Sequence, residues 1–153
     1  MDLFESALAK SSDRPLAERL RPKTLDEMVG QPRLLSGQAQ WRRQLQNRMQ
    51  GGRIPSFILF CPPGCGKTTL APIISSGPEI VTENCPAIET GAKILKEVCD
   101  RARMRRLTDR KRTIVFVDEI HRLNRAQQDV LLASLESGDV SLLGATTENP
   151  SHT

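Results

Sequence analysis

The apolar positions of this chain follow two rhythms, short unbroken runs and helical repeats, and the two alternate. Ser56-Phe57-Ile58-Leu59-Phe60 is a short continuous apolar run bounded by Pro55 and a Pro/Gly loop. It predicts a strand buried on both faces, as in a parallel sheet. Thr113-Ile114-Val115-Phe116-Val117 predicts a second such strand, and Val140 to Ala145 a further one. Glu79-Ile80-Val81-Thr82 is a weaker strand candidate. Between these runs the period changes to that of a helix. One helix is expected to start near Gly66. Another is expected from Ile88 to about Leu107, with Ala92, Leu95, Val98, Cys99 and Ala102 on one side. A third runs from about Asn124 to Leu135 and ends at Ser137-Gly138.

Upstream, Leu34, Leu35, Gln38, Trp41, Leu45 and Met49 keep helical spacing, closed by Gly51-Gly52. Arg14-Pro15 to Pro32 holds three prolines and a sparse apolar set, which predicts one or two short helices and turns. Residues 1–14 are polar and carry no core pattern, so they are expected to be a flexible leader to a domain at 15–153. Strands alternating with helices predict an α/β fold with a parallel sheet flanked by helices.

Composition narrows the class without changing the fold. The 153 residues suffice for one domain with a sizeable core. No run approaches the roughly 20 apolar residues of a membrane helix. The N-terminal Met1-Asp2-Leu3-Phe4-Glu5 has neither the basic start nor the apolar stretch of a secretory signal. An intracellular protein with no membrane partner is expected. Cys61, Cys65, Cys85 and Cys99 fit no metal-ligand spacing and are expected to be reduced, structurally idle thiols. The net charge of +4 permits contact with nucleic acid without requiring it.

Three strand ends carry the chemistry. Cys61-Pro62-Pro63-Gly64-Cys65-Gly66-Lys67-Thr68-Thr69 lies between a strand and a helix, where G-x-x-x-x-G-K-[ST] forms a phosphate loop. Phosphates need amides pointing inward, so the loop must curl tightly, and Gly64 and Gly66 allow this. Lys67 would supply a point charge to the β- and γ-phosphates of ATP, and Thr68 a hydroxyl for Mg2+. Cys61 replaces the first glycine, and its Cβ restricts the backbone there.

The run at 114–117 ends in Asp118-Glu119, at the sheet edge where ligands of open α/β sheets sit. Asp118 would hold Mg2+, and Glu119 would polarise the attacking water. Gly144-Ala145-Thr146-Thr147-Glu148-Asn149 closes another strand, from which a polar side chain can reach a γ-phosphate or position water. A guanine-reading Asn-Lys-x-Asp string is absent, which sets this chain apart from GTPases.

Lys67-Thr68-Thr69-Leu70-Ala71, Val117-Asp118-Glu119-Ile120-His121-Arg122, Gln127-Gln128-Asp129 and Gly144-Ala145-Thr146-Thr147-Glu148-Asn149-Pro150-Ser151 together resemble one family of AAA+ ATPases. It is the replication-associated recombination protein A family, whose eukaryotic counterpart is the Werner-helicase-interacting ATPase. Pro15 to Pro22 and Thr24 to Gln31 resemble that family's opening.

The resemblance implies a P-loop NTPase of the AAA+ type that hydrolyses ATP as an oligomer, assembled through the ATP site. It would act on forked or single-stranded DNA alongside replication and repair proteins such as single-strand-binding protein. It would work in the cytoplasm of a bacterium or the nucleus of a eukaryote. Carried over by position, residues 61–68 are the phosphate loop, Asp118 and Glu119 the Mg2+/base pair, and Thr147 the sensor. Val29 and Gly30 would lie near the adenine.

The family's arginine finger, last core strand and helical lid would lie beyond Thr153. Such a finger is worth about 10³–10⁵ in rate, so nucleotide binding with little turnover is expected of this chain. Pro72 falls inside the helix behind the phosphate loop, and Ser75-Ser76-Gly77-Pro78 should end that helix early.

Arg101, Arg103, Arg105, Arg106, Arg110, Lys111 and Arg112 face only Asp100 and Asp109 in sequence. They read either as a contact for DNA phosphates or as a solvated helix end and loop. Two functions remain open at this level: an ATPase module of fork maintenance and recombination repair, or a non-catalytic fragment that pairs with intact subunits.

Overall fold

The computed structural model of the chain describes residues 15–30, 40, 42, 43, 46, 47, 55–75 and 77–149. The leader expected at 1–14 lies outside them, as does most of the helix expected at 34–49. The described residues of that stretch (40, 42, 43, 46 and 47) are helical. The prolines of the 15–30 segment leave one short helix, α1 (Leu16–Arg19), followed by a turn at 24–27.

The four apolar runs form four strands: β1 (Phe57–Phe60), β2 (Ile80–Asn84), β3 (Arg112–Val117) and β4 (Val140–Thr146). They make one sheet in the order β1-β4-β3-β2, with every pairing parallel. The register sets Phe60 beside Thr146 and Val117 beside Gly144, so β1, β4 and β3 all end along the same edge. Three helices connect the strands: α2 (Lys67–Ile74), α3 (Ala92–Thr108) and α4 (Arg125–Glu136).

The core is divided between the two faces of the sheet. On one face Leu95, Val98, Cys99 and Ala102 of α3 and Leu131 of α4 bury Val115, Val117 and Val140. On the other, Ala71 of α2 lies against Ile114, Phe116, Leu143 and Ala145, with Phe57 and Leu59 partly buried beside it. Leu70 and Ile74 continue this layer, joined by Leu25 and Met28 from the N-terminal segment. Gly144 is required by close approach: a Cβ there would come within 2.7 Å of Ile120 Cδ1. The bare backbone lets Ile120 settle over β4.

Three expectations need correction. β1 is not buried on both faces, because it is the edge strand of the described sheet. Phe57 and Leu59 turn inward, while Ile58 is 45% and Phe60 49% exposed. The helix expected from Ile88 begins later, at Ala92, because residues 87–89 form a turn. Glu89 and Thr90 donate their amides to the Pro86 carbonyl, and Gly91 is extended at the helix start. The second strand starts at Ile80 and runs on to Asn84, beyond the expected Thr82. The helix after the phosphate loop does end early, at Ile74, with Ser75 as its cap.

Candidate nucleotide site

The phosphate loop leaves β1 at Phe60 and enters α2 at Lys67. Its curl depends on two left-handed glycines, Gly64 at φ 81° and Gly66 at φ 93°, a region that side-chain-bearing residues avoid. The amides of residues 64–68 have no hydrogen-bond partner among the described residues, whereas Thr69 and Leu70 already donate to the Gly66 carbonyl. A row of free amides before a helix start is the donor set a phosphate group needs. The residues present therefore fit a nucleotide phosphate.

Lys67 is folded back on its own loop. Its Nζ donates to the Cys61 carbonyl at 2.6 Å and the Pro62 carbonyl at 3.3 Å. The expectation of idle thiols fails for two of the four cysteines. The Cys61 and Cys65 sulfurs are joined as a disulfide, with their Cα atoms 6.4 Å apart. That spacing lies inside the roughly 4.4–6.8 Å range of protein disulfides. The curl at Gly64 and Gly66 also brings position 61 beside position 65. Cys85 and Cys99 remain free and buried. Burial, reinforced by Glu83, pushes the Cys85 thiol up to about 11, and burial raises Cys99 as well.

Across the sheet edge, Thr68 and Asp118 line the same cleft, a space of about 710 Å³. A hydroxyl and a carboxylate lining one cleft offer the hard oxygen ligands that Mg2+ prefers. Asp118 Oδ1 accepts the Glu119 amide at 3.0 Å. Glu119 itself is in the left-handed region at φ 52°, a conformation that costs a non-glycine residue of order 1–3 kcal/mol. It precedes the 3-10 turn Ile120–Arg122.

Thr147 is half-buried just beyond the end of β4. The strand order sets it between the phosphate loop and Asp118-Glu119, and the Cys61 amide donates to the neighbouring Thr146 carbonyl at 3.3 Å. Val29 and Gly30 follow directly on Met28, whose Cε lies 3.5 Å from where a Cβ on Gly66 would stand. Val29 is almost fully exposed, and Gly30 has φ 100°.

Three residues at this edge were not singled out from the sequence. Asn84 ends β2 and lines the cleft with Thr68 and Asp118. Its only sequence signal is a polar residue closing a strand before Cys85-Pro86. His121 and Thr146 form the other pair: His121 Nδ1 lies 2.8 Å from Thr146 Oγ1 and 3.4 Å from Glu119 Oε2. His121 Nε2 lies 3.4 Å from Glu148. The imidazole thus spans the ends of β3 and β4, a link visible only once the two strands are adjacent.

The basic stretch is partly consumed by structure. Glu83 of β2 takes Arg105 at 2.6 Å and Arg101 at 3.6 Å, and Arg106 meets Asp139 at 2.8 Å. Arg103, Arg110, Lys111 and Arg112 are exposed. No described helix is long and apolar enough to cross a membrane.

Residues 20–150 match the family described as the Holliday junction DNA helicase RuvB P-loop domain. The ATPase WRNIP1 of Dictyostelium discoideum is 47% identical over 97% of this chain and 16% of its own length. The replication-associated recombination protein A of Haemophilus influenzae is 44% identical over 99% of this chain and 33% of its own length. The chain therefore spans between about a sixth and a third of these relatives. Among solved structures, the RuvB Holliday junction branch migration motor of Thermotoga maritima is 31% identical with a TM-score of 0.64. It covers 84% of this chain and 42% of its own. With its parallel sheet, its free loop amides and this match across most of its length, the chain belongs to the RuvB P-loop domain family of AAA+ nucleotide-binding domains.

Proposed function

We propose that this chain binds Mg-ATP in the cleft between the phosphate loop and Asp118, and that it forms the front of an ATPase module in a protein of replication-associated recombination. The observation that carries the proposal is that Thr68, at the start of α2, and Asp118, just past the end of β3, line one cleft, with Lys67 and Glu119 beside them in sequence.

In this reading the amides of residues 64–68 cradle the phosphates. Lys67 leaves the Cys61 and Pro62 carbonyls to pair with the β- and γ-phosphates. Thr68 and Asp118 hold Mg2+, which neutralises phosphate charge when bound. Glu119 takes a proton from the attacking water, and Thr147 orients the γ-phosphate end. Val29 and Gly30 border the adenine.

The names of the relatives support an action on DNA, and the exposed Arg103, Arg110, Lys111 and Arg112 supply charge for phosphate contacts. An affinity for DNA that ignored salt would contradict that part of the proposal. Assembly into a homo-oligomer through the ATP site, and work beside proteins such as single-strand-binding protein, are parts of the same proposal.

The test is the Mg2+ dependence of ATP binding. Wild-type chain is expected to bind ATP more tightly with Mg2+ than with chelator, and Thr68→Ala and Asp118→Ala to lose that difference. Equal Mg2+ dependence in both variants would contradict the assignment. Glu119→Gln is expected to retain binding and to lower any hydrolysis by about 10²–10⁴-fold.

A further inference from the structure

We propose that Cys61 and Cys65 form a redox modification site inside the phosphate loop, and that closing their disulfide weakens Mg-ATP binding. The inference deepens the nucleotide reading above and rests on it. Three observations converge. The loop's curl brings the two cysteines to a Cα separation of 6.4 Å, and their side chains meet. Both side chains are partly exposed, so a small oxidant can reach them. The other two thiols are buried, at 3% and 4% exposure, and burial keeps them protonated, so they do not compete.

The consequence for phosphate binding follows from what the bond encloses. The ring runs through Pro62, Pro63 and Gly64. Two prolines already fix φ, so the bond leaves Gly64 as the main freedom of the ring. The ring also contains the Cys61 and Pro62 carbonyls on which Lys67 Nζ rests. A phosphate must draw Lys67 away from those carbonyls and align the amides of 64–68. A closed ring resists that adjustment, whereas an open dithiol loop can make it. Cys61 stands where the phosphate-loop pattern has glycine, so the pair exists only because of that replacement.

The chemistry balances with a small-molecule disulfide such as oxidised glutathione as the electron acceptor. The thiolate of one cysteine attacks it, forming a mixed disulfide and expelling one glutathione thiolate. The second cysteine's thiolate attacks the mixed disulfide at the protein sulfur. The Cys61–Cys65 bond forms and the second glutathione leaves. The two protein thiols lose two protons and two electrons, and both are recovered in two molecules of reduced glutathione.

The test titrates Mg-ATP calorimetrically into the whole chain after equilibration with oxidised glutathione, and again after dithiothreitol. Mass measurement after alkylation counts the free thiols in each sample. The oxidised chain is expected to retain only Cys85 and Cys99 as free thiols and to bind about tenfold more weakly or worse, reversibly. In the double variant Cys61→Ser/Cys65→Ser, which can form neither the bond nor the mixed disulfide, the oxidised-to-reduced affinity ratio is expected to be one. Equal affinity in the two forms, or failure of oxidised glutathione to close the bond, would overturn the redox site and leave the nucleotide reading standing. A double variant that responds to oxidant as strongly as wild type would also overturn it. A folded, reduced chain without Mg-ATP affinity would overturn both.

Discussion

Pro72 lies in the same eight-residue helix as Lys67, one turn behind the phosphate loop. Its ring removes an amide that would otherwise donate to the Thr68 carbonyl, yet α2 continues through it to Ile74. The ring is on the exposed side, while Leu70, Ala71, Ile73 and Ile74 are buried, so no core contact compensates for the missing bond. Pro72→Ala should therefore stabilise the chain by about 1–3 kcal/mol in urea denaturation. Unchanged or lower stability would show that the proline is favourable where it stands.

At this scale the sequence was informative about chemistry and silent about pairing. Lys67, Thr68, Asp118 and Glu119 stand where the strand-and-loop pattern sets them, after β1 and after β3, because the motif fixes residue type and order. The Cys61–Cys65 bond was not, because a spacing of four in a loop says nothing about distance until Gly64 and Gly66 turn left-handed. His121 was hidden for a similar reason, since its partners belong to another strand.

Among the elements, α4 shows how one side chain can fix a helix in position. Its start is a reciprocal cap: Asn124 Oδ1 accepts the Gln127 amide at 2.9 Å, and Gln127 Oε1 accepts the Asn124 amide at 2.7 Å. Gln127 Nε2 then donates to the Ala87 and Thr90 carbonyls, at 3.0 and 2.6 Å, from only 4% exposure. The same amide thus caps α4 and satisfies the turn that delays α3. Gln127→Ala strands two buried carbonyls and opens the cap, which should cost about 2 kcal/mol in chemical denaturation. A loss below about 0.5 kcal/mol would mean water replaces the amide.

Strand positions were legible from their apolar runs to within a residue or two, and α4 from its period. The start of α3 was not. Its apolar spacing extends back to Ile88, but Pro86 and Gly91 hold the backbone in a turn, and that preference is stronger than the pattern. Ile88 is consequently 70% exposed.

For the whole molecule, the sheet order β1-β4-β3-β2 sets the layout of the candidate site. It makes β4 the neighbour of both motif strands, so the phosphate loop, the 146–149 segment and Asp118-Glu119 end along one edge. Alternating strands and helices made the parallel sheet legible, but not its order. The sequence alone left β1 as a fully buried strand, whereas Ile58 and Phe60 face outward at the sheet's edge.

The central claim is that this edge binds Mg-ATP through the phosphate loop. Calorimetric titration of Mg-ATP into the reduced chain, beside Lys67→Ala with circular dichroism on both, tests it most directly. Saturable binding by wild type is expected, with its loss in a variant that keeps the wild-type fold. Binding that survives Lys67→Ala, or a folded and reduced wild-type chain that does not bind, would contradict it.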